Sequence, residues 1–319
     1  WRGLPARQSA RSSARKAAPA PFGWLLASLE AGRTAGDLAR LAAVGESAFA
    51  PDGESIVYTV TVTNAAEDKQ QSDLWRVGYD GGDRLQLTNT PKSDEWAPAW
   101  SPDGRWLAFL ADRGDDDAQT QVWAMPAGGG EARVLTNLPG GVNDFQWSPD
   151  SRRLAVIASD PERPAGTPKP KNPPPIVTER WQFKKDVDGY LDARRSHLYV
   201  HDVARSESMQ ITFGDHDEAL PAWSPDGRQI AYITRRGGEP DRHSNFDIYL
   251  VEPRAGATER RLTTFDGADN DPDLESPISW SPDGRQLAFV QGGEDKWIYY
   301  APNQLAIVDV ATGRTRVPA

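Results

Sequence analysis

The chain has 319 residues, a formal net charge of −10, no cysteine, 12 tryptophans and 2 methionines. That length suffices for a large core in one or two domains, and the acidic balance argues against a nucleic-acid footprint, which needs a basic stripe. Missing cysteine removes disulfides and thiolate metal sites but leaves the compartment open, and no stretch approaches the roughly 18 apolar residues of a membrane helix.

Residues 1–33 stand apart. "WRGLPARQSARSSARKAAPAPFGWLL" is rich in Arg, Ser, Ala and Pro and carries no acid. The composition predicts a disordered leader, or sequence upstream of the true start. A targeting segment is the other reading, but Glu30 and Gly32 interrupt its short apolar run.

From residue 49 onward one five-letter word recurs. It reads "FAPDG" at 49–53, "WSPDG" at 100–104, 223–227 and 280–284, and "WSPDS" at 147–151. The copies are separated by 51, 47, 76 and 57 residues. A period of about 40–50 residues with an aromatic signature marks the blade of a β-propeller. A short apolar run follows each copy ("ESIVYTV", "RWLAFLA", "RRLAVIA", "RQIAYIT", "RQLAFVQ"), as expected of a strand buried on both faces. Each run has a small residue after its first aliphatic (Val57, Ala108, Ala155, Ala231, Ala288), which suits close sheet-to-sheet approach. An alternating strand comes next, from "SDLWRVGYDGG" to "NQLAIVDVATG", then a short one ending in "LT" or "IT" in four units, with "RTRVP" in the fifth. Four antiparallel strands per unit predict an all-β propeller of about five blades over 34–319. In the word itself, Trp is an apolar anchor, Pro presets φ, and Asp-Gly completes a type I turn. Asp103, Asp150, Asp226 and Asp283 are therefore read as turn residues, and Ser151 in place of Gly as a local strain of about 1 kcal/mol.

Two departures from the repeat are candidate sites. The wide spacing before the fourth copy holds an insertion, 159–196. Its first part, "SDPERPAGTPKPKNPPP", should be extended. Its second reads as two strand pieces around a Gly turn at "DVDG". Arg180, Trp181, Phe183, Lys184 and Tyr190 form a basic-aromatic cluster there that could meet a ligand carboxylate or a peptide, or simply pack over a blade. The second departure is acidic: Asp94/Glu95, Asp144, Asp217/Glu218 and Asp273/Glu275 each precede a blade's Trp. At equivalent places near a channel they would form a negative face attracting an amine or a cation. Solvated turn acids are the plainer reading.

No catalytic machinery is visible. There is no Gly-x-Ser-x-Gly, since "GESAF" at 45–49 fails at its last position, and no phosphate loop. The four histidines include His197 and His201 on one strand without a third ligand. "DNDPDLES" lacks the Gly and Glu of a calcium loop. No metal or cofactor is expected.

The ladder of "WSPDG" units resembles TolB-like propellers and those of the prolyl oligopeptidase family, in particular its acylaminoacyl-peptidase and dipeptidyl-aminopeptidase-like branch. "TAGDLARLAAVGESAFAPDGESIVYTV" (34–60) is similar to that branch's opening helix and first blade, and "PIVTERWQFKKDVDGYLDARRSHLYVHDVA" (175–204) to its mid-propeller insertion. The resemblance implies a seven-bladed propeller capping a C-terminal α/β-hydrolase domain that carries Ser, Asp and His. On that reading the present chain holds about five blades and no catalytic residue. Its partners would be the hydrolase domain of the same protein and short peptides, with no nucleic acid or membrane and a possible homo-oligomer. The expected compartment is the cytoplasm, with the periplasm as the alternative. A stand-alone TolB-like binding scaffold, and a propeller enzyme using a channel-bound metal or carboxylate pair, are the competing readings.

Overall fold

The computed structural model describes residues 40–318 apart from 65–68, 115–117, 163–171, 173–174, 179, 186–188, 238–239, 275 and 298–299. The expected leader and opening helix, and most of the proline-rich segment, therefore lie outside the described residues.

Five antiparallel sheets follow one another along the chain. Blade 1 holds β1 (Ala42–Phe49), β2 (Ser55–Asn64), β3 (Lys69–Gly78) and β4 (Leu85–Gln86). Blade 2 holds β5 (Glu95–Trp100), β6 (Trp106–Ala111), β7 (Gln121–Pro126) and β8 (Arg133–Val134). In blade 3, β9 (Val142–Trp147) and β10 (Arg153–Ser159) are separated from their later partners by a small hairpin, β11 (Lys184–Lys185) and β12 (Gly189–Tyr190). The sheet then resumes with β13 (Ser196–Asp202) and β14 (Glu207–Gln210). Blade 4 is β15 (Glu218–Trp223), β16 (Ile230–Thr234), β17 (Asp247–Val251) and β18 (Arg260–Arg261). In blade 5 the first strand is split into β19 (Gly267–Asp269) and β20 (Ser279–Trp280), both on β21 (Gln286–Glu294), followed by β22 (Gln304–Asp309) and β23 (Thr315–Arg316). Among the described residues no helix is long and apolar enough to cross a membrane.

Side-chain alternation on each second strand turns the stack into four seams. On β6, Leu107, Phe109 and Ala111 pack against blade 1 beside Val57 and Leu74, while Ala108 and Leu110 face blade 3. On β10, Leu154, Val156 and Ala158 point back to blade 2, and Ala155 and Ile157 point on to blade 4. On β16, Ile230 and Tyr232 belong to the seam with blade 3, Ala231 and Ile233 to the seam with blade 5. The small residue thus faces the following blade, where the incoming tryptophan needs room. Burial of these side chains from both faces is the main source of stability, at about 25 cal/mol per Å² of apolar area. The outer faces of the first and last blades are different: Phe49 is 61% and Leu305 55% exposed.

The recurrent word builds one and the same turn four times. Ser101, Ser148, Ser224 and Ser281 each donate Oγ–H to the Asp two residues on, at 2.6–2.7 Å. Each of those carboxylates accepts the backbone N–H two residues further, at 3.1 Å. Hydrogen bonds from Ser101, Ser224 and Ser281 hold the Asp103, Asp226 and Asp283 carboxyls below the usual range. The glycines at 104, 227 and 284 sit at φ 69, 68 and 69°. Ser151 adopts φ 60° in the same place, and its Oγ accepts the Asp103 N–H of the preceding blade at 3.0 Å. The exception to the glycine rule is thereby offset by an inter-blade bond.

Three tryptophans stitch blades 3, 4 and 5 each to the one before. Trp147 Nε1 donates to Ala99 O (3.3 Å), Trp223 Nε1 to Gln146 O (3.3 Å) and Trp280 Nε1 to Ala222 O (3.0 Å). In every case the acceptor is the carbonyl just before the previous blade's tryptophan. The "LT" threonines close the other edge. Thr88, Thr136, Thr212 and Thr263 accept the N–H of Leu74, Val122, Leu198 and Ile248 at 2.8–3.0 Å.

Candidate functional site

In a four-stranded meander the "SPDG" turns lie at one end of the blades. The loops between second and third strands, and the crossings from blade to blade, lie at the other. The insertion belongs to this second end. It leaves blade 3 but is fastened to blade 4. Arg180, whose side chain is 11% exposed, forks onto Asp241 through Nε–Oδ2 (3.0 Å) and Nη2–Oδ1 (2.8 Å), and reaches Asp217 Oδ2 at 3.4 Å. Arg195 donates to Asp215 Oδ1 (2.7 Å) and Asp217 Oδ2 (3.2 Å). Asp217 Oδ1 also accepts Ser196 N (2.9 Å). Bidentate arginine–carboxylate geometry fixes orientation as well as position. The β11–β12 hairpin is thus carried between two arginine clamps.

The sequence-predicted cluster is split by this arrangement. Arg180 is turned inward onto the chain's own carboxylates. Trp181, Phe183 and Tyr190 are exposed, with Arg242 lying 4.3 Å from the Trp181 ring and Lys184 Nζ 5.9 Å from that of Tyr190. The hairpin therefore presents aromatic faces with cations beside them, a surface suited to carboxylates and aromatic side chains of a peptide.

The acids occupy two kinds of position. Asp94 and Asp217 are equivalent: each accepts the N–H of a serine on the preceding blade's third strand, Ser72 (2.7 Å) and Ser196 (2.9 Å). Glu95 and Glu218, next in sequence, are equivalent as well. They pair with Ala111 and Thr234 on the same rung of their sheets and are fully buried at the seams. Glu95 Oε1 accepts from Arg113 Nε at 2.9 Å, and Arg113 lies over Phe109 and Trp123. Glu218 Oε2 accepts from His197 Nδ1 (3.0 Å) and Thr212 Oγ1 (2.8 Å), with His216 Nε2 3.2 Å from Oε1. Burial pushes Glu218 up, but hydrogen bonds from His197, His216 and Thr212 outweigh it and hold the group below its usual range. Burial likewise opposes a charged His197, and Glu218 with Asp160 and Asp217 raises its pKa nonetheless.

The expected equivalence does not extend to the remaining acids. The same rung is filled by Val142 in blade 3 and by Asp269 in blade 5. Asp144 stands two residues further on, where burial raises its carboxyl to about 6 against the hydrogen bond from Phe145 N. Asp273 lies exposed in a single 3-10 turn, Pro272–Leu274, and Glu275 is outside the described residues. Glu95, Val142 and Glu218 each stand five residues before their blade's tryptophan across one bulge, whereas Asp144 stands three before, and in blade 5 the split first strand carries Asp269 to that rung. Sequence reading passed over the seam pairs themselves. Laying "SDLW" over "SHLY" and "SDEW" over "HDEA" is the signal that finds them.

Fold and site together define a β-propeller of the "WSPDG" type whose inter-strand insertion is locked across two blades. No family model matches the chain. It is 31% identical over 302 residues to dipeptidyl-peptidase 5 of Porphyromonas gingivalis, covering 86% of this chain and 41% of that protein. It is 30% identical over 222 residues to the uncharacterized peptidase YuxL of Bacillus subtilis, covering 68% and 33%. Among solved structures, the acylaminoacyl peptidase of Pyrococcus horikoshii superposes with a TM-score of 0.63 at 18% identity, over 88% of this chain and 40% of that one. The chain is a β-propeller domain of the prolyl oligopeptidase family. It spans about two fifths or less of the length of the curated relatives it matches.

Proposed function

We propose that this chain is the non-catalytic propeller of a serine-type peptidase, standing over an α/β-hydrolase domain of the same protein and admitting short peptides to it. The likeness over 302 residues to a dipeptidyl-peptidase carries the reading. The clamped hairpin supports it. A loop that selects peptides by size must hold its shape, and the two arginine anchors supply that rigidity while leaving Trp181, Phe183, Lys184 and Tyr190 to meet substrate. The solvent-facing Asp273 favours the amino end of a peptide. None of these groups is a nucleophile, and the hydrolytic step belongs to the partner domain.

The test is hydrolysis of dipeptidyl, acylaminoacyl and longer peptide substrates by the full-length gene product. Cleavage confined to short peptides is expected, with none by residues 34–319 alone. Replacing 183–191 by a short glycine linker is expected to admit longer peptides. A full-length product that hydrolyses none of these substrates overturns the proposal.

A further inference from the structure

The seam between blades 1 and 2 and that between blades 3 and 4 are built alike. Ser72-Asp73-Leu74 on β3 takes the place of Ser196-His197-Leu198 on β13. The serine N–H groups go to Asp94 and Asp217, and the leucine N–H groups to Thr88 and Thr212. Each aspartate is followed by a buried glutamate, Glu95 or Glu218. One residue differs in kind. In the later seam His197 offers Nδ1 to Glu218 Oε2 at 3.0 Å. In the earlier seam the matching residue is Asp73, beside Glu95 and buried like it. Asp73 Oδ1 and Glu95 Oε2 are both buried with no hydrogen-bond partner, while Glu95 Oε1 is taken by Arg113. Two ionised carboxylates have no proton to share and repel, so one of the pair must be protonated for the contact to hold.

We propose that Asp73 carries a proton in the folded chain, and that this proton makes the bond to Glu95 across the first seam that the His197 N–H makes to Glu218 across the third. The seam between blades 1 and 2 then becomes a proton-dependent fastening, independent of the peptidase reading. The groups around Asp73 agree. Burial comes first, followed by Glu95 on β5 and Asp94 just before it. Arg113, after β6, is the opposing charge, and the balance raises Asp73 to about 6. Asp112, beside Arg113, is occupied by Ser93 Oγ (3.0 Å) and Asp94 N (2.8 Å). A raised carboxyl pKa stabilises the folded seam fully below the ordinary value of 3.8, and that contribution is lost as pH rises through about 6. The third seam behaves differently. A neutral imidazole retains one N–H, so the His197 bond outlasts the charge on its ring.

Amide hydrogen exchange, corrected for the intrinsic pH dependence, reads both seams in one sample. Protection of β3 and β5 is expected to fall about tenfold between pH 5 and 7.5 relative to β13 and β15. Asp73→Asn keeps a donor but does not titrate, so the difference between the seams should vanish. The infrared C=O band of a protonated carboxyl, present in the wild type at pH 5, should weaken in the same variant. If Asp73→Asn does not fold, Glu95→Gln keeps an acceptor and is expected to move the loss of protection to lower pH. Equal pH dependence of the two seams in the wild type, or an unchanged carboxyl band in Asp73→Asn, overturns the proposal.

Discussion

The two ends of the blades solve the same problem by opposite means. At the turn end, four copies of one word make the same three hydrogen bonds with nearly the same lengths, and every partner lies within five residues. At the other end the seams share a plan but differ in the side chains that close it. They use a carboxyl pair, a histidine–glutamate pair and arginine forks whose partners are up to 61 residues away. Local, self-contained bonding can be copied from blade to blade without consulting neighbours. Bonding between blades depends on the neighbour: the indole-to-carbonyl stitch is repeated three times, but at the far end the copies diverge, and there a binding surface can be built.

Three substitutions probe this contrast. Trp223→Ala strikes the shared anchor. The ring is nearly buried, Arg153 lies 4.7 Å from its centre, and its N–H reaches Gln146. A loss of about 3–5 kcal/mol in urea unfolding is expected. A much smaller loss would show that the blades do not depend on the stitch. Arg180→Met strikes the divergent end. It strands Asp241, which keeps only a 3.5 Å contact with Arg235, and should cost about 2 kcal/mol. It should also speed proteolysis within 176–195, and unchanged cleavage there would mean that the clamp does not hold the hairpin. The smallest effect is expected from Ser151→Gly. Relief at φ 60° opposes loss of the acceptor for Asp103 N, and the net change should stay within about 0.5 kcal/mol. A larger loss would give the inter-blade bond more weight than the turn conformation.

Sequence periodicity carries most of the fold because strand burial and turn chemistry are local properties. The five apolar runs, the small residues and the Asp-Gly turns all read directly from neighbours in the chain. The serine of the word escapes that reading. Its role is to pass a hydrogen bond from the next strand's N–H to the aspartate, which only the folded turn displays. Arg180 reads as a ligand group because Asp241 lies far along the chain. Asp144 reads as a member of the acidic channel face because any acid shortly ahead of a tryptophan groups with the others, though it stands three residues before Trp147 where Glu95 and Glu218 stand five before theirs. His197 reads as an ordinary structural histidine, and its burial against Glu218 bears out that part, though its partner lies in the next blade.

The indole-to-carbonyl stitch has a direction. Trp147, Trp223 and Trp280 donate backward and the carbonyls of Ala99, Gln146 and Ala222 receive from ahead, so these units have a giving side and a receiving side that cannot be exchanged. Blade order is therefore written into the polarity of the bonds. A unit moved to a new place keeps its own turn but must find a carbonyl at the right height behind it. Trp100 is the exception, since its buried Nε1 has no hydrogen-bond partner.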